Sequence, residues 1–186
     1  EAMAPEEIVA LSIGTRSDCL PPETLELLSD LNQEKPIWIE LGLQSIHAKT
    51  LSAMNTHTTV AQFDAAVSKL HALGISVIAH VILGFASTRS FVSPGNQLLH
   101  VLRGTALAEQ YQLHPFPMME LDEYSDFVID CLELLPPDMV VHRLTGDGPR
   151  SLLLAPSWST DKKRILNTIH RRLKERNTRQ GEHFYG

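Results

Sequence analysis

Glu40, Gly42 and Gln44 fall at every second position of the run Ile37-Trp-Ile-Glu-Leu-Gly-Leu-Gln44, and Ile37, Ile39, Leu41 and Leu43 alternate with them. Side chains on a strand point to opposite faces in turn, so one face of this segment is wholly apolar and the other carries a carboxylate and an amide. If helices cover the apolar face, Glu40 and Gln44 look into an interior or crevice. A carboxylate buried there without a partner is strongly unfavourable, so Glu40 requires a donor such as a histidine, an arginine or the amine of a ligand. Ser12 sits on the polar parity set of an earlier segment, with Ala10, Gly14 and Arg16. His80 and His100 each enter a parity set that is otherwise apolar apart from a glycine. Two outcomes stay open at this point: a ligand cavity, or a structural network in which Glu40, His80 and His100 satisfy one another.

Other chemistries lack their signatures. The chain has no Gly-x-Ser-x-Gly elbow, no phosphate loop and no His-Glu-x-x-His, which leaves a hydrolase built from Asp, His and Ser residues without support. Its two cysteines, Cys19 and Cys131, are too far apart in sequence to form a Cys-x-x-Cys pair, and no residue is assigned as a metal ligand. Cys131 lies on the apolar face of a helix and reads as a small buried hydrophobe.

The elements that would position these residues repeat one pattern, a short apolar run followed by a stretch of helical period, which argues for βα units around a parallel sheet. The expected strands are Ile8 to Ile13, Ile37 to Leu43, Ile75 to Leu83, Leu98 to Leu102 and Met139 to Leu144. Polar residues of the first gather toward its C-terminal end, where α/β barrels place their sites. Helices are expected over Pro22 to Leu31, from Thr59 to a left-handed Gly74, over Thr105 to Tyr111, and from Leu121 to a stop at Pro136-Pro137. A last helix, capped by Ser159 or Thr160, carries Ile165, Leu166, Ile169 and Leu173 on one side, and the tail after Asn177 is expected to fray. Ser87 to Asn96 stands where a parallel crossover would ordinarily hold a helix.

With 186 residues and 43% hydrophobic content the chain can bury one core, yet it is shorter than the roughly 250 residues of a complete eight-stranded barrel. A net charge of -6, no long apolar run and no basic-then-apolar leader at Glu1 to Glu7 lead to the expectation of a cytoplasmic protein without a membrane span. The acidic balance disfavours broad binding of nucleic acid, except from Lys162 to Arg179, where cations concentrate. A solvated helix face and an RNA contact both account for that segment.

Six blocks occur in order: Leu11-Ser-Ile-Gly-Thr-Arg16, Asp18-Cys-Leu20, Glu40-Leu-Gly-Leu-Gln44, Ala79-His-Val-Ile-Leu-Gly84, Leu99-His-Val-Leu-Arg-Gly-Thr105 and His142-Arg-Leu-Thr-Gly-Asp-Gly-Pro-Arg150. Together they resemble a bacterial radical S-adenosylmethionine (radical SAM) family related to the oxygen-independent coproporphyrinogen oxidases and the Elongator catalytic subunit. The resemblance implies the later strands of a partial (β/α) barrel over residues 1–135, with a C-terminal helical extension over 136–186. It implies S-adenosylmethionine and a [4Fe-4S] cluster as cofactors of the full-length family. Gln44 matches a position contacting the methionine part of the cofactor, with Glu40 and Ser12 facing the same cavity. His80, Ile82 and Gly84 match the strand that packs on the adenine, while His100, Arg103, His142, Arg143, Asp147 and Arg150 match blocks near the barrel mouth as candidates for substrate or anion contacts.

The chain also departs from that family. The Cys-x3-Cys-x2-Cys cluster motif is absent, Phe85-Ala-Ser-Thr88 replaces Leu-Pro-Gly-Glu, Ser17 replaces a proline, and Asn55-Thr-His-Thr58 replaces Asn-Arg-Gly-His. The chain alone is therefore expected to be inactive, with an exposed strand edge at Ile8 to Ile13. The alternative is a non-catalytic remnant that binds a small molecule or RNA.

Overall fold

The structure, a computed structural model, describes residues 5–83, 95–146 and 148–185. Phe85 to Thr88 and Arg89 to Pro94 lie outside the described residues, as do Gly84 and Asp147. The chain divides into two compact units, one ending at His80 and the other beginning at Val81.

The first unit is an α/β layer pair. Strand β1 (Leu11–Thr15) leads through a short 3-10 turn at Ser17–Cys19 to helix α1 (Pro22–Glu34), then to β2 (Ile37–Gln44), the short helix α2 (Ala48–Ala53), α3 (Val60–Ala72) and β3 (Ser76–Leu83), which runs on into the second unit. β1 and β2 are parallel, with Ser12 level with Trp38 and Gly14 level with Glu40, and β3 lies on the other side of β2. The first strand starts and ends later than its apolar run suggests, because Ile8 and Val9 are exposed and the ladder opens at Leu11. α2 has no counterpart among the expected elements.

α1 and α3 pack on one face of β2 and bury its apolar set: Ile37, Ile39 and Leu41 are at most 1% exposed, against Leu28, Phe63 and Leu70 from the helices. Removing each such side chain from water contributes roughly 1.5–3 kcal/mol. Pro22 in the first turn of α1 is preorganised for a helix and lacks an amide that would go unpaired there, while Glu23 complements the dipole. Thr59 and Gln62 form a reciprocal capping box at the start of α3, and Gly74, at φ 70°, takes the left-handed position that ends it. Asn32 joins the layers, accepting from Ile37 N–H at 2.9 Å and donating to Gly74 O at 3.4 Å.

In the second unit β4 (Gly95–Leu98) is hydrogen-bonded beside β3, and Leu99 N–H donates to Leu83 O at 2.9 Å. The expected strand over Leu98 to Leu102 is in fact two: the chain leaves β4 at Leu99-His100 and enters a separate antiparallel pair, β5 (Val101–Leu102) with β6 (Leu153–Ala155). Between them come α4 (Ala106–Leu113), capped by Thr105, and α5 (Leu121–Leu134), which ends at Leu135 just before Pro136. Met139 to Leu144 is not a strand, since only Arg143 makes an isolated bridge. The strand that does form, β6, pairs with β5 so that Val101 and Ala155 enter a core with Ala108, Leu107, Tyr111 and Phe116.

Helix α6 (Lys162–Arg176) is capped by Asp161, whose carboxylate accepts from Arg164 N–H at 3.0 Å. Ser159 and Thr160 cannot serve because Ser157–Thr160 is already a 3-10 turn in which both hydroxyls donate backward, to Pro156 O and Ser157 O. The residues after Asn177 do not fray. They return to the end of α5, where Gly181 N–H donates to Leu132 O at 3.1 Å, His183 N–H to Glu133 O at 2.8 Å, and the Gln180 amide to Pro136 O and Met139 O at 2.7 Å each. No helix among the described residues is long and apolar enough to cross a membrane.

Candidate functional site

The polar face of the first sheet is where three of the predicted residues meet. Ser12 Oγ donates to Glu40 Oε1 at 2.7 Å, and His80 Nε2 lies 2.9 Å from Glu40 Oε2. The register accounts for this: Ser12 is two residue pairs below Gly14–Glu40 on the parallel neighbour and so on the same face, and His80 arrives on that face from β3. Glu40 thus has a hydroxyl on one carboxylate oxygen and an imidazole on the other. The side chains stay accessible, at 38% for Glu40 and 20% for His80, so the carboxylate is partly hydrated. Beside it, a Cβ added at Gly14 would meet nothing within 4 Å, which leaves open space over the sheet.

Gln44 ends β2 in the left-handed region, at φ 61°. Its side chain folds back over Gly42, where any Cβ would come 2.5 Å from Gln44 Nε2, so a side chain at that position would displace the amide from this place. Ile82 follows His80 on the same face of β3 by alternation and is partly buried. At the foot of the first strand Arg16 donates to both oxygens of Asp18, at 2.9 and 2.5 Å, and this pairing holds the Asp18 carboxyl below the ordinary aspartate range.

His100, in the second unit, makes a different set of contacts. It lies in the break between β4 and β5 rather than within a strand, and its Nε2 is 3.0 Å from Ser159 Oγ. Ser159 donates its one hydroxyl proton to Pro156 O at 2.8 Å, so Oγ acts as acceptor and His100 Nε2 carries the proton. A serine held this way is not activated for nucleophilic attack, which requires the imidazole to accept from it. Gly146 and Gly148 close on the ring: a Cβ at Gly146 would lie 2.7 Å from His100 Cε1. Arg150 Nη2 donates to Thr160 O at 2.6 Å, so Arg150 and His100 both engage the Ser157–Thr160 turn. Arg103 donates its backbone N–H to Leu152 O at 2.7 Å, and the residue is exposed, as are His142 and Arg143. Ser159 is expected from sequence only as a helix cap, and nothing in its local sequence points to His100. Its role depends on a contact spanning 59 positions.

Among the described residues no group of three or more His, Cys, Asp or Glu side chains is arranged to hold a metal ion. A [4Fe-4S] cluster of the radical SAM kind needs three cysteine thiolates, and Cys19 and Cys131 are two, one of them buried with its thiol pushed up to about 12 by desolvation. The residues present do not fit the cluster.

Residues 97–175, all within the second unit, match the Radical_SAM C-terminal domain family. The uncharacterized protein YtqA of Bacillus subtilis is 36% identical over 98% of this chain, and the uncharacterized protein MJ0486 of Methanocaldococcus jannaschii is 35% identical over 97%. The chain spans 61% of the length of each. Among solved structures, Methanocaldococcus infernus Elp3 lacking its N-terminus superimposes with a TM-score of 0.76 at 20% identity, covering 92% of this chain and 43% of that one. That likeness supports the α/β fold with its parallel sheet. By sequence, the chain is homologous to YtqA and MJ0486 and, through residues 97–175, related to the Radical_SAM C-terminal domain family.

Proposed function

We infer that the polar face of the first sheet is the S-adenosylmethionine-holding part of a radical SAM protein, in a partial barrel over 1–135 extended by 136–186. The supporting observation is the constellation of Ser12, Glu40 and His80 beside the open space at Gly14. A partly hydrated carboxylate suits the ammonium of a methionyl group, and Gln44 at the strand end offers an amide to the same moiety. His80 and Ile82 follow one another along the face that would take the adenine, in continuation of which Gly84 lies outside the described residues. When bound with its cluster, S-adenosylmethionine supplies a carbon radical that abstracts hydrogen. These residues bind and orient the cofactor; they do not cleave it, and the substrate class is set elsewhere.

Calorimetry with S-adenosylmethionine tests this. A charge-assisted hydrogen bond contributes about 1.5–3 kcal/mol, so Glu40→Gln should weaken binding roughly tenfold to a hundredfold while the melting temperature stays close to that of the parent. Equal affinity in parent and variant, or no binding to the parent, would overturn the reading. Under anaerobic reducing conditions the chain alone should form no 5′-deoxyadenosine.

A further inference from the structure

Half of the chain's sixteen lysines and arginines lie between Lys162 and Arg179, in a protein of net charge -6. The structure separates them into two groups. Arg172 and Arg176 face α5 and are consumed there, Arg172 by Asp122 and Asp126, Arg176 by Asp126 and Asp130, at 2.6 to 3.1 Å. On the outward side Lys163, Arg164 and Lys174 are exposed, and Arg171 is held only by an exposed i,i+4 pair with Glu175 at 2.7 Å. Such a pair is worth at most about 1 kcal/mol and exchanges readily for another anion. Asn167 and Thr168 lie between the cations in an open cleft with Asp161, whose carboxylate is occupied as the helix cap.

We propose that this outward face of α6 docks the sugar-phosphate backbone of an RNA strand. Lys163 to Lys174 spans about 17 Å at the helical rise, and with successive phosphates of one strand roughly 6 Å apart this is the reach of about three to four of them. Asn167 both donates and accepts, and Thr168, whose hydroxyl proton goes to Arg164 O at 2.9 Å, accepts; a ribose 2′-hydroxyl does both, so the pair favours RNA over DNA. A bilayer fits poorly because Leu166, 37% exposed, is the large apolar side chain this helix offers to solvent. An acidic protein partner fits poorly for the same reason, since protein interfaces are built around an apolar centre.

Fluorescence anisotropy with a labelled 20-nucleotide RNA hairpin, at 50 to 200 mM salt, tests the face directly. Three to four phosphate contacts predict a loss of affinity of roughly twenty- to 150-fold across that range, the lower figure for single-stranded and the upper for duplex contacts. The triple variant K163E/R164E/K174E should bind at least tenfold more weakly than the parent, and the control K49E/K69E, on exposed lysines of the first unit, should bind as the parent does. If charge reversal lowers the melting temperature, K163Q/R164Q/K174Q replaces it, with a smaller loss in the same direction. Binding that is insensitive to salt, equal loss in the control, or equal or tighter binding to DNA of the same sequence or to anionic vesicles would overturn the proposal.

Discussion

Cys19 and Cys131 show how one residue type takes opposite chemical characters from its surroundings. Cys19 is exposed beside Asp18, whereas Cys131 is 1% exposed on α5 and burial pushes its thiol up to about 12. Since the thiolate is the reactive form, native protein at pH 8 should release one equivalent of chromophore rapidly with a disulfide reagent, and two only after denaturation. Two rapid equivalents would show that α5 opens easily. Asp18 offers a pH test at the same scale. Arg16 lowers its folded pKa below the unfolded value, so the pair's contribution to stability is present above the ordinary aspartate range and is lost as pH falls through the lowered value. Carboxyl NMR titration should find that low midpoint, and Arg16→Gln should return it toward the ordinary range. The alternating pattern of β2 revealed Glu40 as a residue in need of donors, because parity is local information. That His80 lies 2.9 Å away while His100 instead donates to Ser159 depended on where each strand ended.

At the scale of elements, α5 and α6 are held by a buried apolar seam, with Val128, Ile129, Ile165 and Ile169 at most 1% exposed, and by a ladder of carboxylates at Asp122, Asp126 and Asp130. Asp126 is the shared rung, accepting from both Arg172 and Arg176. Replacing it, as in Asp126→Asn, should destabilise the protein by about 1–2 kcal/mol, discounted for solvent at this partly exposed position. Added salt should shrink the difference between parent and variant in a denaturant titration; a difference independent of salt would show packing rather than charge at work. Helix boundaries were readable because caps are local: Thr59 with Gln62, Gly74, and the stop at Pro136 all act within a few residues. Asp161 displaced the expected Ser159 and Thr160 caps because those hydroxyls were already committed to their own turn. The tail after Asn177 looked free by composition, yet it finds carbonyls at the end of α5 more than 40 positions away.

For the whole molecule, periodicity and composition determined an α/β architecture, the apolar and polar faces of β2, and most helices, since each follows from residues within one or two turns of each other. Local spacing also identified the concentration of cations on α6. Tertiary structure decided what spacing cannot encode: the split of Leu98 to Leu102 between two sheets, the formation of β6 in place of a strand at Met139 to Leu144, and the division of the α6 cations into an inner and an outer group. An apolar run of a few residues is compatible with a strand in either sheet or in none, and the choice falls to the partner that satisfies its backbone groups. Likewise an arginine's neighbours along a helix do not reveal which carboxylate a second helix brings to it. Those outcomes arise from pairings across the fold, where burial and hydrogen bonding are settled together.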